Sequence, residues 1–140
     1  MVSADFVLSV EFCSDLVLSF RQTMNMVAHG IEVANLVVVK NAAVLAEELQ
    51  KGGLKLITGG TSNHLILADV HGSFGIDGKE AQERLEKAGI TTNANAIPDE
   101  PLPPFRPSGL RLGTPALTTR GYREGDMIEI THTILDTLRT

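Results

Sequence analysis

The 140-residue chain is long enough for one domain that buries roughly two thirds of the surface its unfolded form exposes. A net charge of −5 offers no basic footprint for nucleic acid, and 4% aromatics without tryptophan leave Val, Leu, Ile and Ala to build the core. Cys13 stands alone, which excludes a disulfide framework and makes a reducing compartment and a buried structural thiol the expectation.

Met1–Phe20 is apolar, but Asp5, Glu11 and Asp15 interrupt it and no basic segment precedes it. It reads neither as a signal peptide nor as a transit peptide, no run in the chain approaches a membrane span, and a cytoplasmic location is expected. Phe6, Leu8, Val10 and Phe12 alternate as on a strand, while Phe6, Val10, Cys13, Val17 and Phe20 fit a helical stripe equally well. Residues 1–35 are therefore left unassigned, with His29 a surface or boundary histidine.

From Leu36 the pattern is legible. Val38, Ala42, Leu45 and Leu49 share one face of an amphipathic helix, Glu47 and Lys51 form a favourable i,i+4 pair, and Gly52-Gly53 stops it. Leu54–Thr58 and His64–Val70 read as an antiparallel hairpin around the turn Gly59-Gly60-Thr61-Ser62-Asn63. His64 ends that turn as a hydrogen-bonded structural residue, and its spacing from His71, with no cysteine nearby, leaves no metal site. Asp77 and Glu80 have the spacing of a capping box. Ala81, Leu85 and Ala88 form the buried stripe of that helix, and Gly89 closes it. Ile90–Thr92 is a short strand that leads into Asn93-Ala94-Asn95. Its two amides lie on one side of an extended segment, where they either contact a polar ligand or support turns. Pro98, Pro101, Pro103, Pro104 and Pro107 make a stiff, extended loop. After Gly121, Met127, Thr131, Ile134 and Leu138 predict a closing helix, with Ile128 and Leu135 widening its apolar face.

Between loop and helix lies Ser108–Gly121. Leu110 and Leu112 alternate around Arg111, so a strand turns both leucines one way and the guanidinium the other. Gly109 and Gly113 are expected to leave the backbone around the arginine unshielded, and Thr114-Pro115 reads as an N-cap followed by proline at the first helical position. An arginine presented this way either grips a planar two-oxygen anion such as a carboxylate or pairs with an acidic neighbour.

Three segments together carry a resemblance: Gly59-Gly60-Thr61-Ser62-Asn63-His64-Leu65, then Ala88–Pro98, then Ser108–Gly121. In order and spacing they resemble successive signatures of serine hydroxymethyltransferase, over Val38 to the C-terminus, whereas residues 1–35 are expected not to be family-like. The resemblance implies that residues 36–140 are the small C-terminal domain of a fold-type-I pyridoxal-phosphate enzyme. The fold class is then α+β, a small antiparallel sheet covered by helices. It implies a family reaction in which a one-carbon unit moves between serine and glycine, with pyridoxal phosphate as electron sink and tetrahydrofolate as carrier. By the same resemblance Arg111 binds the amino acid's α-carboxylate, Asn95 contacts the folate ring system, and the loop through Phe105 borders that pocket. Gly59, Gly60, Thr61, His64 and Arg120 belong to the structural motif, Arg120 tying the short Pro115 helix to the following turn.

The family's cofactor lysine follows a histidine. Lys40, Lys51, Lys55, Lys79 and Lys87 are the lysines of this chain, and none does. No catalytic residue is therefore assigned, and the chain is expected to be a truncated family member, inactive alone. The alternatives are a non-catalytic module that docks on a full-length subunit or on itself, and one piece of a longer product that carries the lysine.

Overall fold

The structure, a computed structural model, describes residues 6–7 and 28–140, with side chains from residue 34 onward. Phe6–Val7 forms a strand, β1. The two readings of the rest of Met1–Phe20, and those of Cys13 and of the His29 side chain, lie outside the described residues.

The first helix, α1, spans Ala28–Lys51. It starts ahead of Leu36, in turns that carry no apolar period to announce them in the sequence. Its predicted stripe is buried: Ala42, Leu45 and Leu49 are at 0% exposure and Val38 at 9%. Lys51 pairs with Glu47 at 2.8 Å and Glu48 at 2.7 Å. Gly53, at φ 91°, then ends the helix in a conformation that a side chain would strain.

The hairpin forms with shorter arms than the sequence suggests. Strand β2 is only Lys55–Leu56, and β3 is Leu65–Asp69, antiparallel with Lys55 opposite Asp69. Val70 is not part of the strand. It opens a five-residue helix, α2 (Val70–Phe74), which the sequence reading missed. The cause is Asp69, whose carboxylate accepts from the Gly72 amide at 2.7 Å and whose carbonyl accepts from the Ser73 hydroxyl at 2.6 Å.

Helix α3 (Gly78–Lys87) begins where Asp77 predicts it, with the Asp77 carboxylate accepting from the Glu80 amide at 2.8 Å. The reciprocal half of the box is not made: Glu80 turns to Arg84, one helical turn on, at 2.5 Å. Strand β4 (Ile90–Thr91) pairs in parallel with β1. Strands β5 (Asn93–Asn95) and β6 (Gly109–Gly113) complete a four-stranded antiparallel sheet in the order β2-β3-β6-β5.

Alternation then divides the sheet. Ile66, Ala68, Leu110 and Leu112 lie at 0–1% exposure on the covered face. They meet Leu45 and Leu49 of α1, Ala81 and Leu85 of α3, and Met127, Ile134 and Leu138 of the last helix, α5 (Glu124–Arg139). Burying each such leucine or isoleucine contributes about 2 kcal/mol, so this face, not local propensity, sets the strand register. Leu135 joins the core at 4% exposure, but Ile128 does not: at 40% it sits on the solvent side of α5, one position past the buried stripe through Met127. The predicted α+β class, a small antiparallel sheet covered by helices, is the one observed.

Between β6 and α5 lies α4 (Pro115–Thr119), with Pro115 in its first turn as expected. Thr114 occupies the N-cap position without capping. Its hydroxyl instead donates to the Val38 carbonyl of α1 at 2.9 Å. Asn41, wholly buried, adds a second link from α1, donating to the Thr118 hydroxyl at 2.9 Å and the Tyr122 carbonyl at 3.0 Å. Arg120 ends α4, its amide donating to the Ala116 carbonyl at 3.2 Å. These bonds lock the exit of β6 to the longest helix. The strand that carries Arg111 is thus held at its exit and from below.

Candidate functional site

Residues 109, 111 and 113 point to the uncovered face of the sheet, and there Arg111 lies opposite Leu67 on one side and Asn93 on the other. The β2–β3 turn rises beside it. Gly59 and Gly60 take φ values of 67° and 153°, which free the backbone to double back. The turn is braced from within: the Thr58 hydroxyl donates to the Gly60 carbonyl at 2.6 Å and the Thr61 hydroxyl to the Leu65 carbonyl at 2.6 Å. The Asn63 side chain accepts from the Leu65 amide at 2.8 Å. His64 contributes its carbonyl, which accepts from the Thr114 amide at 3.3 Å and so ties the turn to the end of β6.

Turn and sheet enclose an open cavity of about 480 Å³. Gly60, Thr61, Ser62 and Asn63 form its wall, Leu65 and Leu67 part of its floor, and Asn95 and Arg111 its far side. That volume suits a small metabolite. Arg111 is the one charged side chain among the lining residues. Its Nε is buried without a hydrogen-bond partner, and among the described residues no carboxylate pairs with the guanidinium. The acidic-neighbour alternative thus finds no support in the geometry. A half-buried guanidinium without a counter-charge in a partly apolar cavity favours an incoming anion, and its fork favours one with two coplanar oxygens.

Asn95 shares the cavity. Its Nδ2 donates to the Ala96 carbonyl at 2.9 Å, and no donor among the described residues takes its amide oxygen. Asn93 lies on the same side of β5, opposite Arg111 in the ladder. Phe105 does not join them. It is 74% exposed and borders a second cavity of about 240 Å³ together with His71, Asp77, Leu102 and Arg106. Gly109 and Gly113 also differ from expectation: both are buried, and they serve close packing rather than an open backbone. A Cβ at Gly109 would come within 2.6 Å of the Asn95 carbonyl and 2.5 Å of Ile97.

The residue that sequence reasoning missed is Glu100. Prolines 98, 101, 103, 104 and 107 strip amide donors from the loop between β5 and β6, and Glu100 collects three of those that remain. Its carboxylate accepts from the amides of Ile97, Leu102 and Ser108, each at 3.0–3.1 Å, and from the Ser108 hydroxyl. Burial works to raise its pKa, but the Ser108 hydroxyl and the amides outweigh it and hold the carboxyl down at about 2. Asp77 is also lowered, chiefly by the Glu80 amide, with burial opposing and Arg106 assisting through its Nε at 2.7 Å. Groups with a depressed folded pKa stabilise above their unfolded value and lose that contribution as pH falls through the folded one. Amide protection at Ile97, Leu102 and Ser108 is therefore expected to hold above the ordinary glutamate value of 4.5 and to fall as pH drops towards about 2. Hydrogen exchange across that window measures it, and protection that collapses at neutral pH would contradict it.

Among the described residues no group of three or more His, Cys, Asp or Glu is arranged to hold a metal ion, and no helix is long and apolar enough to cross a membrane.

The family model of serine hydroxymethyltransferase matches residues 15–134. The serine hydroxymethyltransferase of Xylella fastidiosa (strain 9a5c) is 54% identical over 101 residues, 72% of this chain and 24% of that protein. Those of Xanthomonas oryzae pv. oryzae strains PXO99A and MAFF 311018 are each 52% identical over the same share. The chain thus spans about a quarter of the length of these curated relatives. A family match across most of the sequence, with the Gly59, Asn93 and Ser108 segments gathered at one cavity, has one consequence: the chain belongs to the serine hydroxymethyltransferase family.

Proposed function

We propose that residues 36–140 form the unit that binds the amino acid's carboxylate in the serine–glycine interconversion of this family, and that the 140-residue chain by itself does not catalyse it. The observation that carries the first part is Arg111. It is half-buried, free of any protein counter-charge among the described residues, and the one charged side chain lining a cavity of metabolite size. In this reading its fork holds the α-carboxylate and fixes the orientation of the Cα bonds. We assign the folate ring contact to Asn95, whose amide borders the same cavity. Phe105, which borders a different cavity, is given no part in that contact.

The second part rests on chemistry the cavity does not offer. Pyridoxal phosphate in this family needs a lysine amine, and the residues present do not fit it. All five lysines are exposed and none lines the cavity. Lys51 is engaged by Glu47 and Glu48, and Lys55 faces Asp69 at 3.5 Å.

Chemical-shift titration of the chain with glycine and with L-serine tests the reading. Shifts are expected at Arg111 and at residues 60–63. Arg111→Ala should weaken binding by about tenfold or more, the worth of a charged hydrogen-bond pair. Equal affinity in the two proteins would refute the assignment of Arg111. The same preparation, mixed with pyridoxal phosphate, should neither cleave serine nor retain a borohydride-fixed label on one of the five lysines. Cleavage coupled to such a label would overturn the claim of inactivity.

A further inference from the structure

Asn95 and Arg111 approach the cavity from strands joined by the thirteen residues 96–108, and their relative position depends on how that connection is closed. The ladder alone holds them weakly. Strand β5 has only three residues, lies at the edge of the sheet, and ends at Asn95.

Glu100 closes the connection from the inside. One carboxylate takes the Ile97 amide, two residues beyond Asn95, and the Ser108 amide and hydroxyl, three residues before Arg111. Ser108 is fully buried, and its carbonyl accepts from the His71 amide at 3.2 Å, so the clasp is anchored to α2 as well. Asp99, immediately before Glu100, is held at φ 55°. A non-glycine residue keeps that left-handed conformation only where its surroundings over-determine it. We propose that Glu100 is a positioning residue of the site: its carboxylate clamps both ends of the proline loop and thereby sets Asn95 and Arg111 at the separation that an amino acid and a folate ring bound side by side require. The inference rests on the carboxylate-binding reading for the identity of the ligand, but not for the existence of the clamp.

Glu100→Gln tests it. The substitution keeps size and one acceptor oxygen while it places an NH2 against amide donors. Well below the unfolding midpoint, where the variant is fully folded, we expect faster exchange at the Ile97, Leu102 and Ser108 amides. The Arg111 Nε–H and Asn95 side-chain resonances should also shift, and affinity for tetrahydrofolate in the presence of glycine should fall about tenfold. A purely structural role would lower the midpoint and leave those resonances and the folded-state affinity unchanged, and that result would overturn the proposal. If the wild-type chain binds no glycine, the ligand reading fails, while the Arg111 and Asn95 resonances still decide whether Glu100 positions them. If Glu100→Gln does not fold, Ser108→Ala, which removes only the hydroxyl donor, must move the same resonances in the same direction. Unmoved resonances there would equally overturn it.

Discussion

Gly78→Ala should destabilise the chain by about 3 kcal/mol, the upper range for forcing extra volume into a packed interior. Gly78 is the first residue of α3, where exchanging glycine for alanine would ordinarily favour the helix by up to about 1 kcal/mol. Here the added Cβ would lie 2.1 Å from the Gly109 carbonyl oxygen and 2.9 Å from that of Pro107. Both obstacles are backbone, so no rotamer change relieves the contact. The Gly78 amide also donates to the Pro107 carbonyl at 2.6 Å, and the alanine would have to lengthen that bond. Next to it, Asp77 caps α3 and grips Arg106, so helix start, proline loop and the entry to β6 form a single joint. Opening that joint exposes the ends of all three. Urea midpoints measure the cost. Gly53→Ala is the comparison, because its left-handed φ of 91° carries a conformational penalty while nothing lies within 4 Å. That variant should lose only about 1 kcal/mol. Equal losses in the two would show that the α3–β6 contact is softer than its geometry.

What was legible in the sequence follows from which forces act locally. The α1 stripe, the Asp77 cap, the glycine stops and the alternation around Arg111 are written into near neighbours, and each appears where expected. The elements that differed depend on distant partners. Thr114 has the residue type and position of a cap, yet the Val38 carbonyl 76 positions away claims its hydroxyl. Ile128 is as apolar as its neighbours and still faces outward, because the helix–sheet contact is narrower than the apolar stripe. Asp69 reads as the end of a strand, and its own side chain starts a helix instead. At the site, local pattern marks Arg111 and Asn95 as candidates and the resemblance adds the roles expected of them, whereas Glu100 leaves no local trace. Its signal lies in the prolines around it, which leave so few donors that one carboxylate can gather most of those near it. The two glycines flanking Arg111 serve close packing, not exposure of the backbone, because what a side chain there would meet lies on neighbouring segments that the local sequence does not show.

Gly109→Ala is expected to leave the core assembled and to break the site. Gly109 pairs with Asp69 on one side and Asn95 on the other, in the central strand of the sheet. A Cβ there would lie 2.5 Å from the Ile97 Cγ2, 2.6 Å from the Asn95 carbonyl and 3.3 Å from the Ala68 carbonyl. Strand β3 is paired on both sides, whereas β5 is a three-residue edge strand whose outer side meets α3, with one bond from the Ala94 amide to the Gln82 side chain at 2.9 Å. The strain is therefore relieved by displacing β5. The cost in stability should be only about 2 kcal/mol, within the usual range for overpacking. Asn95 moves with the strand, and loss of its ring contact should cost up to about tenfold in tetrahydrofolate affinity. Faster hydrogen exchange at residues 93–95, with core amides still protected, would accompany that loss. Gly113→Ala, at the other end of the same strand, supplies the measure of specificity. Its Cβ would meet the His64 carbonyl at 3.3 Å and Leu65 at 3.4 Å, contacts that a few tenths of an ångström relieve. It should cost about 1 kcal/mol and little affinity. Should the two variants bind tetrahydrofolate equally well, close approach at Gly109 would not be what holds Asn95 beside Arg111, and the edge strand would owe its place to the proline loop alone.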